Sequence, residues 1–322
     1  MTPFAIAGIQ MHVAALHSNV EGMRHRLDVL MARFPWTQMV VFSELAPFGP
    51  LEQFAQPFPN DTLALFQEDA RRHGVWLLPG SMFEKRPDGR IFNTAAVINP
   101  DGEIVAKYSK MFPFRPYEAN VSAGTEFCIF DVPGAGRFGV SICYDIWFPE
   151  TTRHLTSQGV EVLLNPVLTG TTDRDAEIAI ARATAAQFQC YVFAVNGLAA
   201  GGVGRSVVVD PAAMVLHQSH GQEDMFPIEI DFDLVRRQRE TGLKGLGQVL
   251  KSFRDREVDF PVYDRASGAD AWLHTLGPLE MPRKGSTAAA PAPDPRIAPG
   301  YREDPARPVR NEAPFGARTG AD

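Results

Sequence analysis

Apolar residues gather in short runs along this chain, and the interval at which they recur changes from one part of the sequence to the next. Phe4 to Gln10 is a compact apolar run that predicts a strand, and Met23, Leu27, Leu30, Met31 and Phe34 then recur at helical spacing within Asn19 to Phe34. Met39 to Phe42 predicts a second strand. A helix is expected to open near Asn60 or Asp61, both suited to N-capping, and to stop at Gly74 before a strand over Val75 to Leu78. The first part of the chain thus reads β-α-β-α-β.

The middle differs, because Asn93 to Asn99, Ile104 to Tyr108, Phe127 to Val132 and Phe138 to Cys143 are strand-like runs with no helical period between them. Turn chemistry such as INPDGEIV predicts hairpins there. Pro149 suits the first turn of a helix ending at Gly159. A strand over Val162 to Asn165, a helix over Asp175 to Gln187 and a strand over Tyr191 to Asn196 follow. Ser206 to Asp210, Met214 to His217 and Phe226 to Asp231 are late strands, the first two joined by a turn at DPAA. Mixed units at both ends with antiparallel pairs between them predict an α/β fold: a four-layer α-β-β-α sandwich forming a single domain over residues 1–277. From Pro278 the composition shifts to Pro, Ala, Arg and Gly, so 278–322 is expected to be a flexible tail or an oligomer arm.

The chain has 322 residues, 45% of them hydrophobic, which is ample for a buried core. Its formal charge of −7 is spread without long like-charge runs, which argues against a nucleic-acid surface or a polybasic membrane anchor. No stretch approaches the roughly 20 apolar residues of a membrane helix. Cys128, Cys143 and Cys190 lie far apart, without a CxxC pair, so neither a disulfide framework nor a zinc site is suggested and no metal or cofactor is expected. With a strand-like N-terminus in place of a signal pattern, a cytoplasmic protein is the expectation.

Three reactive side chains stand where apolar runs stop: Glu44 after MVVFS, Lys110 in KYSK and Cys143 after GRFGVSIC. A thiol needs a base to become a useful nucleophile, and a tetrahedral intermediate needs a cation or backbone N–H groups for its oxyanion. Carboxylate, ammonium and thiol fill those roles. A sharp turn between Cys143 and Pro149 is expected to expose the sulfur to backbone N–H groups that lower its pKa. Each residue alone has an ordinary reading, as a surface glutamate, a solvated lysine and a buried thiol. Lys107 competes with Lys110, which is preferred because Met111, Phe112 and Pro113 can desolvate it. Glu118 is a further carboxylate within reach of the same pocket, while Cys128 and Cys190 sit inside apolar runs and read as core.

Taken together, VVFSELAPFG, KYSK and CYDIWFPE resemble the motifs of the nitrilase, or carbon-nitrogen hydrolase, superfamily, in the family's order. The likeness continues through LLNPVLTG and GRSVVVDPAAMVLHQ and covers roughly residues 3 to 265. It implies a Glu44, Lys110 and Cys143 triad, a second glutamate at Glu118, an oxyanion site at the Tyr144 backbone N–H and a pocket wall at Trp147. Met111-Phe112 departs from the His-Leu pair common after the lysine, which puts the pocket wall in doubt. The resemblance also implies a homodimer or higher homo-oligomer.

The implied activity is hydrolysis of a small amide through a thioester. Relatives acting on acidic substrates carry an arginine three or four residues past the cysteine, where this chain has Ile146 and Trp147, so an uncharged amide is favoured. An N-carbamoyl amine or a nitrile uses the same chemistry, and a catalytically silent binding protein on this fold is the alternative of a different class. Two further patterns carry little. GAGRFG satisfies G-x-G-x-x-G but leads into a strand, so it reads as a hairpin, and His217 and His220 lack a ligand pattern around them.

Overall fold

A computed structural model of the protein describes residues 1–281. Most of the tail expected over 278–322 therefore lies outside the described residues. Chain contacts divide the molecule after Arg256. The described part of the second unit, from Glu257, holds two short 3-10 turns, Pro261–Tyr263 and Ala271–Thr275.

Within Met1–Arg256 two sheets carry the fold. The first runs, from one edge, Asp224–Asp231, Pro3–Gln10, Met39–Phe42, Trp76–Leu78, Ile91–Ile98 and Ser81–Lys85, with Ile104–Ser109 also paired to Ile91–Ile98. The second runs Val215–Gln218, Val207–Val209, Tyr191–Asn196, Val162–Val167, Gly136–Val140 and Cys128–Val132. In each, the strands linked through helices pair in parallel, since the helix returns the chain to the end of the sheet from which it started.

Alternation along the strands makes the layers. Phe4, Ile6, Met39 and Val41 point to a core shared with Phe138, Val140 and Val162 of the other sheet, where the Phe4 and Phe138 rings meet edge-on at 5.7 Å. The intervening Ala7, Ile9, Val40 and Phe42 face the opposite way, onto Met23, Leu27 and Leu30 of the helix Val20–Arg33 and Phe66 and Ala70 of Asp61–His73. The second sheet is covered by Leu155 of Pro149–Ser157 and Ile178, Ala181 and Phe188 of Arg174–Phe188. This is the four-layer α-β-β-α sandwich that the apolar spacing predicts.

Local signals behave as their chemistry dictates. The Asn60 side chain accepts from Leu63 N–H at 2.9 Å, and Gly74 closes that helix in the left-handed region at φ 64°. GAGRFG runs from the turn into the second of the antiparallel strands Cys128–Val132 and Gly136–Val140. Several elements escape the sequence reading, among them two in the main body of the fold. Ser81–Lys85 is a strand whose buried Glu84 interrupts the apolar pattern, and Phe232–Thr241 is a helix whose run RRQRE masks the inward Phe232 and Val235. No helix among the described residues is long and apolar enough to cross a membrane.

The strand expected to reach Cys143 ends at Val140, and Cys143 instead opens a 3-10 turn, Cys143–Trp147. The buried Asp145 carboxylate accepts from the Ile142 N–H at 2.9 Å, and the Asp145 N–H donates to the Ile142 carbonyl, so the strand ends three residues early. Cys143 is held at φ 48°, in the left-handed region.

Candidate active site

Three chain segments meet where strands of both sheets end. Glu44 follows Met39–Phe42, Lys110 follows Ile104–Ser109, and Cys143 lies beyond Gly136–Val140. The Glu44 N–H donates to the Val167 carbonyl at 3.2 Å, which ties the first sheet's loop to the C-terminal end of a strand in the second. Gly124 fits against the Lys110 segment because a Cβ there would lie 2.0 Å from the Ser109 carbonyl oxygen. Its own N–H donates to the Lys110 carbonyl.

Lys110 is the hub. Its Nζ donates to Glu44 Oε1 at 2.9 Å and to Glu118 Oε2 at 2.8 Å, with only 2% of its side chain exposed. Asn93 Nδ2 donates to Glu44 Oε1 at 2.7 Å, and the Phe114 N–H donates to Glu118 Oε2 at 2.5 Å. Lys107, the rival, instead pairs with Glu84 at 2.7 Å and is 39% exposed.

Burial sets the protonation states. It raises Glu44 from 4.5 to about 7, with Lys110 opposing the rise and Glu118 adding to it. Burial alone would lower Lys110, but Glu44, Cys143 and Glu118 outweigh it and hold the ammonium well above the ordinary lysine range. The expected lowering of the Cys143 pKa is not found. Burial, reinforced by Glu44 and Glu177, pushes the thiol well above its ordinary value despite Lys110, so the resting group is a neutral thiol beside a carboxyl that titrates near neutrality. Cys128 and Cys190 are buried and pushed up to about 12, in keeping with their reading as core.

Cys143 lines a cavity of about 480 Å³ with Phe114, Tyr144, Trp147, Thr169 and Glu177. The Tyr144 ring packs edge-on against Phe114 at 5.0 Å and lies 5.9 Å from Trp147. Ile146, by contrast, is buried in the core. The Met111-Phe112 departure has a structural use. Phe112 stacks on Phe148 at 3.6 Å and its N–H donates to Asp145 Oδ1 at 2.8 Å, joining the lysine segment to the cysteine turn.

The carbon-nitrogen hydrolase family pattern matches residues 5–240. The chain belongs to the carbon-nitrogen hydrolase family. It is similar to a formamidase of Bacillus cereus (strain B4264), 31% identical over 166 residues, 48% of this chain and 46% of that protein. It thus spans about half the length of that relative. It is also similar to omega-amidase NIT2 of Danio rerio, 27% identical over 259 residues, 74% of this chain and 92% of that one. Among solved structures, a carbon-nitrogen hydrolase from Helicobacter pylori G27 superposes with a TM-score of 0.71 at 25% identity, covering 82% of this chain and 99% of that one. Saccharomyces cerevisiae Nit3 shares the fold, with a TM-score of 0.69 at 22% identity over 74% of this chain and 94% of that one.

The structure brings together Glu44, Lys110, Glu118 and Cys143, with Tyr144 and Trp147 on the cavity wall. Sequence reasoning missed Asn93, Asp145, Thr169 and Glu177. Asn93 left a trace, as a polar residue inside the apolar run IFNTAAVI. Glu177 left none, because DRDAEIA has the composition of an exposed first helical turn.

Proposed function

We propose that the chain is a cysteine-dependent amidase that hydrolyses small, uncharged carboxamides to a carboxylic acid and ammonia through a Cys143 thioester. The observation that carries this reading is Lys110 Nζ held between Glu44 and Glu118, at 2.9 and 2.8 Å, with the Cys143 thiol beside Glu44 and lining the cavity.

Glu44 takes the thiol proton as the sulfur attacks the carbonyl carbon, which suits a base whose pKa of about 7 matches the working pH. Lys110, fixed as an ammonium, and the Tyr144 backbone N–H hold the oxyanion. Glu44 then protonates the departing amide nitrogen, which leaves as ammonia; the same carboxylate takes a proton from a water that attacks the thioester, and returns it to the Cys143 sulfur as the acid is released. Glu118 positions Lys110. Asp173 and Glu177 on the cavity wall disfavour an anionic substrate, and the Phe114, Tyr144 and Trp147 rings favour an uncharged one.

The test is ammonia release from a panel of short carboxamides, N-carbamoyl amines and nitriles, by the native protein and by Cys143→Ala. Amide turnover that disappears in the variant is expected. Retained turnover in Cys143→Ala, or ammonia from nitriles alone, would overturn the proposal.

A further inference from the structure

One wall of the cavity carries a buried carboxylate with no part in the cycle above. Glu177, in the helix Arg174–Phe188, is 2% exposed. Its Oε2 accepts from Arg174 Nη1 at 2.5 Å and from Thr169 Oγ1 at 2.7 Å. Arg174 is itself 1% exposed and donates through Nη2 to the Arg205 carbonyl at 2.8 Å. These contacts lock the carboxylate in one orientation, and both use the same oxygen. Glu177 lines the cavity, and the sole partner of its Oε1 among the described residues is Cys143 Sγ at 3.9 Å. A brace for the helix N-terminus would need only Oε2. Oε1 is a strong acceptor held beside the nucleophile without a conventional donor.

In the tetrahedral adduct the former carbonyl carbon carries sulfur, the oxyanion, the departing nitrogen and the substrate's own substituent. Lys110 and the Tyr144 N–H take the oxyanion, and Glu44 serves the nitrogen. The substituent is left to the wall formed by Phe114, Trp147, Thr169 and Glu177. An atom one or two bonds from the carbonyl carbon then comes within hydrogen-bond reach of Oε1, at about 3 Å.

We propose that Glu177 is a specificity-determining residue whose Oε1 accepts a hydrogen bond from an N–H or O–H within two bonds of the scissile carbonyl carbon. The site therefore takes small α-hydroxy amides and monosubstituted ureas in preference to plain aliphatic amides. This rests on the amidase reading above. Preorganisation by Arg174 and Thr169 makes the acceptor selective, because a substrate with a methylene at that place leaves a buried carboxylate oxygen unmatched.

Glycolamide, methylurea and propionamide share one heavy-atom skeleton and differ in the donor: a terminal O–H, an N–H next to the carbonyl, or none. The experiment measures kcat/KM for each with the native protein and with Glu177→Gln. Arg174 and Thr169 both donate to one oxygen, so the glutamine must keep its carbonyl oxygen there and turn its NH2 to the cavity, replacing an acceptor by a donor. The ratio of donor-bearing amide to propionamide is expected to fall about tenfold or more in Glu177→Gln. Glycolamide and methylurea tell which position of the donor is read. A ratio that is the same in both proteins overturns the proposal while leaving the amidase reading intact. Absence of turnover of all three by the native protein overturns the amidase reading and the proposal with it. Should Glu177→Gln not fold, Cys143→Ala supplies an independent measurement. Glycolamide or methylurea should bind it more tightly than propionamide by calorimetry, and equal affinities overturn the proposal.

Discussion

If Glu44 is the proton acceptor for Cys143, the rate must follow the fraction of Glu44 that is ionised. Burial lifts this carboxyl from 4.5 to about 7, and Lys110 recovers only part of the cost. The displacement amounts to about 3 kcal/mol against ionisation. Near pH 6 about a tenth of the sites hold the carboxylate, and near pH 5 about a hundredth, so kcat/KM is expected to drop roughly tenfold per unit below neutrality. An ordinary glutamate would leave the profile flat to about pH 4.5. Lys110, held well above its usual range, adds no alkaline limb near its ordinary value. The assay is kcat/KM for a short amide from pH 5 to 9, with samples returned from pH 5 to pH 8 to exclude acid inactivation. A profile level down to pH 5 would refute the reasoning. Glu118 raises Glu44, so Glu118→Gln should move the acid limb to lower pH, and an upward move would contradict the assignment.

Other consequences are accessible to simple assays. Lys110→Met removes the cation between Glu44 and Glu118 and should lower kcat by at least about a hundredfold, with a drop in the denaturant midpoint from the two buried acids it leaves facing each other. Near-native turnover would exclude Lys110 from the oxyanion site. Iodoacetamide should label Cys143 before Cys128 or Cys190, because Cys143 lines the cavity and the other two are buried away from it; peptide mapping that finds either first would contradict the site. Asp145→Asn weakens the set of hydrogen bonds accepted from Tyr108, Phe112 and Ile142, and should destabilise the fold by about 2 kcal/mol while slowing turnover, measured by urea unfolding and ammonia release. Unchanged stability would show that the Cys143 turn does not need this carboxylate.

What could be read before the fold was known follows from the range of the forces involved. The continuous apolar run MVVF and the helical spacing of Met23, Leu27 and Leu30 report buried surface directly, so the layers and the order of elements along the chain were visible in the sequence. Glu44, Lys110 and Cys143 stood out because each is polar at the end of an apolar run. Asp145 escaped because its role is to bend the chain through contacts with Tyr108 and Phe112, more than thirty residues away in sequence. Glu177 escaped because only tertiary packing buries its helical turn beside the sulfur. The raised thiol pKa was hidden for the same reason, since burial is a property of the assembled sheets and outweighs Lys110.

The most direct test of the account is intact-protein mass spectrometry after rapid acid quench of the protein with a short carboxamide. The account predicts a transient mass increase equal to the acyl group, mapped to the peptide containing Cys143 and absent in Cys143→Ala. Turnover by a protein that never carries that acyl group, or an adduct on a residue other than Cys143, would contradict it.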